Sequence, residues 1–350
     1  MKNATIKPPR LRAGDTVAAV SLSWGGPGAI PHRYLAGKRQ FEQEFGIQVL
    51  EMPNTLKSPE WLSRNPQARA EDLMQAFTDP TIKAVVSTIG GEDSIRLLPY
   101  VDLKVLRNNP KIFCGYSDST VTHFMCAKAG VTSLYGPSFM SGFGENCGMH
   151  RYLADSFRQL AFSAQPVGPI SPNMEGWTVE FLNWEDPANL SVKRTLQPCT
   201  GWKWLQGKGV VRGPLLGGCI EVVDWLRGTE LWPEQSVWDG SILFFETSEE
   251  AIPPLTLKRL LRVLGACGSL QKAKALLFGR PGGFKNPASS DQYDKAILSA
   301  INEELGLTHL PIITDMDFGH TDPLMTIPYG IEAQIDCDAK VFSICEAAVS

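Results

Sequence analysis

The segment Gly115-Tyr116-Ser117-Asp118-Ser119 puts a serine between an apolar run, Lys111–Tyr116, and a helical pattern that runs from Ser117 to about Ala129. A serine on such a strand-to-helix turn projects its hydroxyl from the sheet edge, near the positive end of the helix dipole. The backbone N–H of the next residue, Asp118, then points at an oxyanion. The pattern is GxSxS rather than GxSxG. Taken alone it leaves two readings open, a nucleophile or a serine that caps the helix. A serine nucleophile needs a base and a group that orients the base. Of the five histidines, His123 lies on the helix after Ser117 but about a turn and a half on, and faces elsewhere. His32, His150 and His309 sit in polar surroundings with no strand leading into them. His320 differs. It follows the apolar Pro311-Ile312-Ile313 and then Thr314–Phe318, inside the loop Gly319-His320-Thr321-Asp322-Pro323. Glu246 directly follows the apolar strand Ser241–Phe245. Singly, Glu246 also reads as a first-turn helix acid and His320 as a loop-capping side chain. Jointly, all three groups fall at the C-terminal ends of predicted strands, where open α/β sheets bind ligands.

The elements that must position them alternate in type. Asp15–Leu22 reads as a buried strand, Arg33–Phe45 as a helix and Ile47–Glu51 as a second strand. Asn65-Pro66 marks a helix start, with Asn65 as cap and proline in the first turn. Ala70, Leu73, Met74 and Phe77 then recur at i, i+3, i+4 and i+7. Lys83–Ile89 and Lys111–Tyr116 are further strands. This alternation predicts a parallel sheet with helices on its faces. Residues 1–165 form a first domain carrying Ser117. Residues 166–208 hold five prolines together with Trp177, Trp184, Trp202 and Trp204, and read as a linker plus an extended loop. Residues 209–350 form a second domain carrying Glu246 and His320. In it Ser241–Phe245 and Lys274–Phe278 are buried strands, Leu257, Leu260, Leu261 and Leu264 lie on one helix face, and Ile331–Asp336 with Val341–Glu346 form a closing hairpin.

Composition excludes several classes. Among 350 residues, 43% are hydrophobic and 20% charged, which excludes global disorder. Net charge is −4, so a nucleic-acid partner held through its phosphates is not expected, while a small anionic substrate is compatible. No stretch reaches the ~18 apolar residues of a membrane helix. Met1 to Arg12 lacks an apolar core between its basic residues, so no signal peptide is expected and the reading is cytoplasmic. The eight cysteines form no CxxC pair and read as reduced, packed thiols. Cys147 and His150 make one lone CxxH, too few ligands for zinc. No GxxxxGK[ST] occurs, and Gly142–Gly148 misses the GxGxxG register by one residue.

Pieces spread over nearly the whole chain resemble the LD-carboxypeptidase family of serine peptidases, and within it the microcin C immunity branch. They are Leu11–Val17, Arg69–Asp79, Ile89-Gly90-Gly91-Glu92-Asp93-Ser94, Gly115–Asp118, Gly213-Pro214-Leu215-Leu216-Gly217-Gly218, Phe245–Glu249 and Gly319-His320-Thr321. The resemblance implies a Rossmann-like N-terminal domain and a smaller C-terminal domain built on a β-barrel. It implies a Ser117–Glu246–His320 triad, an oxyanion hole from the amides of Gly91 and Asp118, homodimers, and neither metal nor cofactor. Gly90 makes physical sense there, since only glycine lets the backbone approach a reacting carbonyl so closely. The Trp177–Trp184 loop resembles that branch, in which a loop aromatic stacks on the nucleotide of an aminoacyl-nucleotide toxin. Trp184 is the expected platform. The family usually carries Asn after the paired glycines, whereas this sequence has Cys219 beside Gly218, at a position tied to substrate. Arg280, after another apolar strand, could face an anionic group or form a structural ion pair. Two substrates follow, an aminoacyl- or peptidyl-nucleotide or a muropeptide ending in D-alanine. The competing classes are a two-lobed binding protein, in which Ser117 only hydrogen-bonds a ligand, and a cysteine amidotransferase, for which no cysteine sits on an elbow.

Overall fold

The computed structural model describes residues 5–283 and 289–350; the first four residues of the Met1–Arg12 stretch lie outside it. Among the described residues, fourteen strands form two sheets. They are β1 (Thr16–Val20), β2 (Gln48–Glu51), β3 (Ile82–Ser87), β4 (Ile112–Gly115), β5 (Leu134–Tyr135), β6 (Gly168–Ile170), β7 (Lys203–Gln206), β8 (Val210–Cys219), β9 (Ile242–Glu246), β10 (Ala275–Gly279), β11 (Ile312–Met316), β12 (Ile327–Pro328), β13 (Glu332–Asp336) and β14 (Val341–Ile344).

The first sheet runs β12-β5-β4-β3-β1-β2. β2, β1, β3, β4 and β5 pair in parallel, as the alternation of strands and helices requires. Strands covered on both faces read as continuous apolar runs, and all four residues of β4 are buried. Helices Pro31–Phe45, Pro66–Thr78 and Thr120–Ala129 accompany this sheet. Phe41 and Phe45 of the first meet Phe143 and Phe157 edge-on or tilted. Asn65 departs from expectation. It stands at the cap position of Pro66–Thr78, but its side chain makes no capping bond and its amide donates instead to Trp61 O at 2.7 Å.

The second sheet runs β6-β14-β13-β8-β9-β10-β11-β7. Its centre, β8-β9-β10-β11, is parallel, and both flanks are antiparallel. The expected β-barrel is not formed: among the described residues this sheet is open, with β6 and β7 as its two edges. Both edges come from the proline-rich 166–208 stretch, which therefore contributes strands as well as loop. Proline is tolerated at an edge because no ladder hydrogen bond is lost there. β12, from the C-terminal part, crosses to pair with β5 of the first sheet. The two sheets thus share a seam at β5.

Candidate active site

Ser117 leaves β4 with φ +61°. A non-glycine residue held there costs ~1–3 kcal/mol and persists only where its surroundings over-determine it. Those surroundings are specific. Thr120 Oγ1 donates to Ser117 O at 2.7 Å and accepts from the amide of Cys219 at 3.2 Å. Ser117 N–H donates to Tyr135 Oη at 3.2 Å.

Gly90 and Gly91 follow β3, and Gly90 lies against the serine. A Cβ on Gly90 would fall 2.8 Å from Ser117 Oγ and 3.5 Å from the Asp118 nitrogen. Gly91 holds φ +145°, and a Cβ there would collide with Ser23. The loop carrying these glycines is tied to the serine turn: Ser94 N–H donates to Asp118 Oδ2 at 2.8 Å and Ser94 Oγ to Asp118 O at 2.9 Å. Asp93 is used structurally, pairing with the fully buried Arg69 at 2.7 Å.

From the second sheet, Glu246 ends β9 and His320 lies in the loop that follows β11. Their atoms Oε2 and Nδ1 are 2.6 Å apart, with side-chain exposures of 0% and 7%. The other oxygen, Oε1, accepts from Tyr135 Oη at 2.5 Å. Ser117, Glu246 and His320 are therefore gathered at one place, with Tyr135 touching two of them. The ring of Tyr116, beside the serine, stands 4.9 Å from the His320 ring. His320 Nε2 is met by Glu249 Oε2 at 3.0 Å. Burial pushes the imidazole pKa down, but the carboxylates of Glu246 and Glu249 outweigh it and hold the pKa well above its ordinary value. His123, by contrast, is enclosed between Ser133 Oγ and Gly115 O, and burial lowers its pKa to about 3.

The candidate substrate contacts fare differently. Gly218 packs on Thr120. Cys219 is fully buried, with its thiol 3.4 Å from Glu221 Oε2, and Glu221 is fixed in turn by the amide and hydroxyl of Ser248 at 2.9 and 2.7 Å. Arg280 pairs with buried Asp317 at 2.9 Å, and its guanidinium lies 4.9 Å from the centre of the Trp177 ring. Arg280 is thus the structural ion pair, neutralised from within the chain, and Trp177 is packed against it. Trp184 sits farther out on the loop. Arg33 covers its ring at 4.7 Å, and His32 Nε2 is 2.7 Å from its carbonyl oxygen. An open cavity of ≈ 420 Å³ beside it is lined by Thr178, Val179, Glu180, Phe181, Thr195 and Gln197.

Sequence reasoning misses Tyr135 and Glu249. Tyr135 ends a two-residue strand and carries no local signal. Glu249 is visible only as one acid of Glu246-Thr247-Ser248-Glu249-Glu250.

A serine on a strained turn at a parallel strand end, tied through Tyr135 to the carboxylate that backs an imidazole, fits the frame of a hydrolase of the serine-peptidase type. Profiles of the LD-carboxypeptidase N-terminal and C-terminal domains match residues 17–136 and 212–335. The chain belongs to the LD-carboxypeptidase family. It is 29% identical to the microcin C7 self-immunity protein MccF of Escherichia coli, over 97% of this chain and 96% of that one. An MccF-like protein from Streptococcus pneumoniae, solved in complex with AMP, superposes with a TM-score of 0.86 at 31% identity, covering 95% of this chain and 99% of that one. MccF in complex with aspartyl sulfamoyl adenosine gives 0.87 at 29% identity, covering 99% and 100%.

Proposed function

We propose that this chain hydrolyses the amide joining an aminoacyl or short peptidyl group to a nucleotide-like amine, through a Ser117–His320–Glu246 triad. The observation that carries the reading is the Glu246 carboxylate, which binds His320 Nδ1 with one oxygen and, with the other, the tyrosine that holds the Ser117 amide. His320 Nε2 exchanges Glu249 for the Ser117 hydroxyl and takes its proton as Oγ bonds to the carbonyl carbon. The amides of Gly91 and Asp118 receive the oxyanion, and losing one such donor costs about 2.7–4 kcal/mol. Protonated His320, steadied by Glu246, then protonates the amine as the C–N bond breaks. Water, giving its proton to His320, attacks the acyl-enzyme, and Ser117 departs with that proton. No step calls on a metal or a cofactor.

Trp184 supplies a stacking face for the base, next to the cavity lined by Phe181. The AMP and aspartyl sulfamoyl adenosine complexes of the two relatives support a nucleotide-bearing substrate. In this reading the enzyme is a cytoplasmic homodimer. Among the described residues no helix is long and apolar enough to cross a membrane, and the cysteines are free thiols. The LD-carboxypeptidase match favours a second reading, removal of a terminal D-alanine from a muropeptide by the same residues.

The two separate when an aminoacyl sulfamoyl adenosine and an L,D-tetrapeptide muropeptide are offered side by side and their products followed by mass spectrometry. The nucleotide reading expects kcat/KM to favour the adenosine compound by ~10-fold or more. Cleavage of the muropeptide alone would refute it.

A further inference from the structure

The nucleophile and its base come from different sheets, so something must hold the two in register. Ser117 follows β4 of the first sheet. Glu246 ends β9 of the second, and His320 follows β11. Tyr135, on β5, is paired with Gly115, two residues before the serine. Its hydroxyl accepts the Ser117 N–H at 3.2 Å and donates to Glu246 Oε1 at 2.5 Å. The ring has no freedom to drift. It is fully buried and packs against Phe244 of β9 at 5.5 Å, His123 at 5.4 Å and Tyr329 at 6.4 Å. Burial first, and then the Glu246 charge, raise its pKa well above the ordinary value, so the phenol keeps its proton and stays a donor.

We propose that Tyr135 is a positioning residue, which sets the Ser117 turn against the Glu246–His320 pair and restrains the pull of Glu246 on the His320 proton. The proposal rests on the hydrolytic reading of Ser117. Two consequences follow from the two hydrogen bonds. Without the hydroxyl, the strained Ser117 amide loses its acceptor, and an unpaired buried N–H is free to relax the turn. Glu246 Oε1 loses a donor, so the carboxylate concentrates its charge on the His320 proton and holds it more tightly.

The test is Tyr135→Phe, which removes one oxygen and keeps the ring. With an aminoacyl sulfamoyl adenosine as substrate, kcat is expected to fall ~10–100-fold while KM stays within about twofold. The acid limb of the kcat profile is expected to move up by ~0.5–1 pH unit. A residue that only filled space would not move that limb. Replacement of Tyr135 by 3-fluorotyrosine covers the case in which the phenylalanine variant fails to fold. It is a stronger donor of nearly the same size, and the acid limb is then expected to move down. An acid limb unchanged in the fluorotyrosine protein, or kcat and limb both unchanged in a folded phenylalanine variant, would overturn the proposal while the wild type still hydrolyses substrate. A wild type inert toward both the adenosine compound and the muropeptide would instead overturn the hydrolytic reading, and the tyrosine's role with it.

Discussion

His320 stands between two carboxylates, and as the proposed general base it must be neutral to act. Burial alone would keep it neutral, but Glu246 and Glu249 together raise its pKa well above the ordinary value. Activity is therefore expected to climb as pH rises through that raised pKa. Glu249→Gln removes one of the two charges, so the imidazole loses its proton at lower pH and the acid limb of kcat/KM shifts downward. A pH profile of the variant checks this, and a limb that stays put or moves up contradicts it. This acid also explains part of what the sequence hides. Ser117, Glu246 and His320 are legible because each ends an apolar run, and strand ends are where such sheets do chemistry. Glu249 matters through its contact with His320 from the segment after β9, and Tyr135 through its contact with Glu246 across the seam between sheets. Ser117's φ of +61° is likewise a tertiary fact, since a serine imposes no such angle on its own.

Among the elements, the loop between β6 and β7 couples most directly to the site. Both of its roots are stapled to Asp317, three residues before His320: Asn173 N–H donates to Oδ2 at 2.9 Å and Trp202 Nε1 at 2.7 Å. Farther along, Thr178 and Asp322 exchange backbone hydrogen bonds at 2.8 and 3.0 Å, and Arg194 reaches Asp322 at 2.7 Å. The loop that carries Trp184 is thus anchored on the segment that carries His320. Stacking a base on an aromatic face is worth ~1–3 kcal/mol. Trp184→Ala is expected to raise KM for the adenosine substrate ~5–150-fold with kcat little changed, and Trp184→Phe to recover most of the loss. Steady-state kinetics decide it, and an unchanged KM in the alanine variant would remove Trp184 from the site. The prolines and tryptophans announce a loop here, but they conceal β6 and β7. Short edge strands lack the alternation or apolar run that marks a strand in sequence. The barrel expectation fails for a related reason. Closure depends on whether two edges meet, and here β6 and β7 lie at opposite ends of an eight-stranded sheet.

Over the whole molecule, the proposed site lies where strand ends of the two sheets meet at one seam. β12 crosses from the C-terminal part to pair with β5, and Tyr135 on β5 bonds to the end of β9. Alternation of strands and helices foretells the parallel first sheet, whereas the parallel centre of the second stands where the resemblance implies a barrel. The alternation does not foretell the seam, which joins residues 134–135 to residues 246 and 327–328. The most direct test of the central claim is mass-spectrometric mapping of the adduct formed with a serine-directed fluorophosphonate. The expected result is one phosphonylated site, Ser117, absent in Ser117→Ala and forming far more slowly in His320→Ala. An enzyme that hydrolyses its substrate yet carries no adduct on Ser117, or carries it on another serine, would contradict the account.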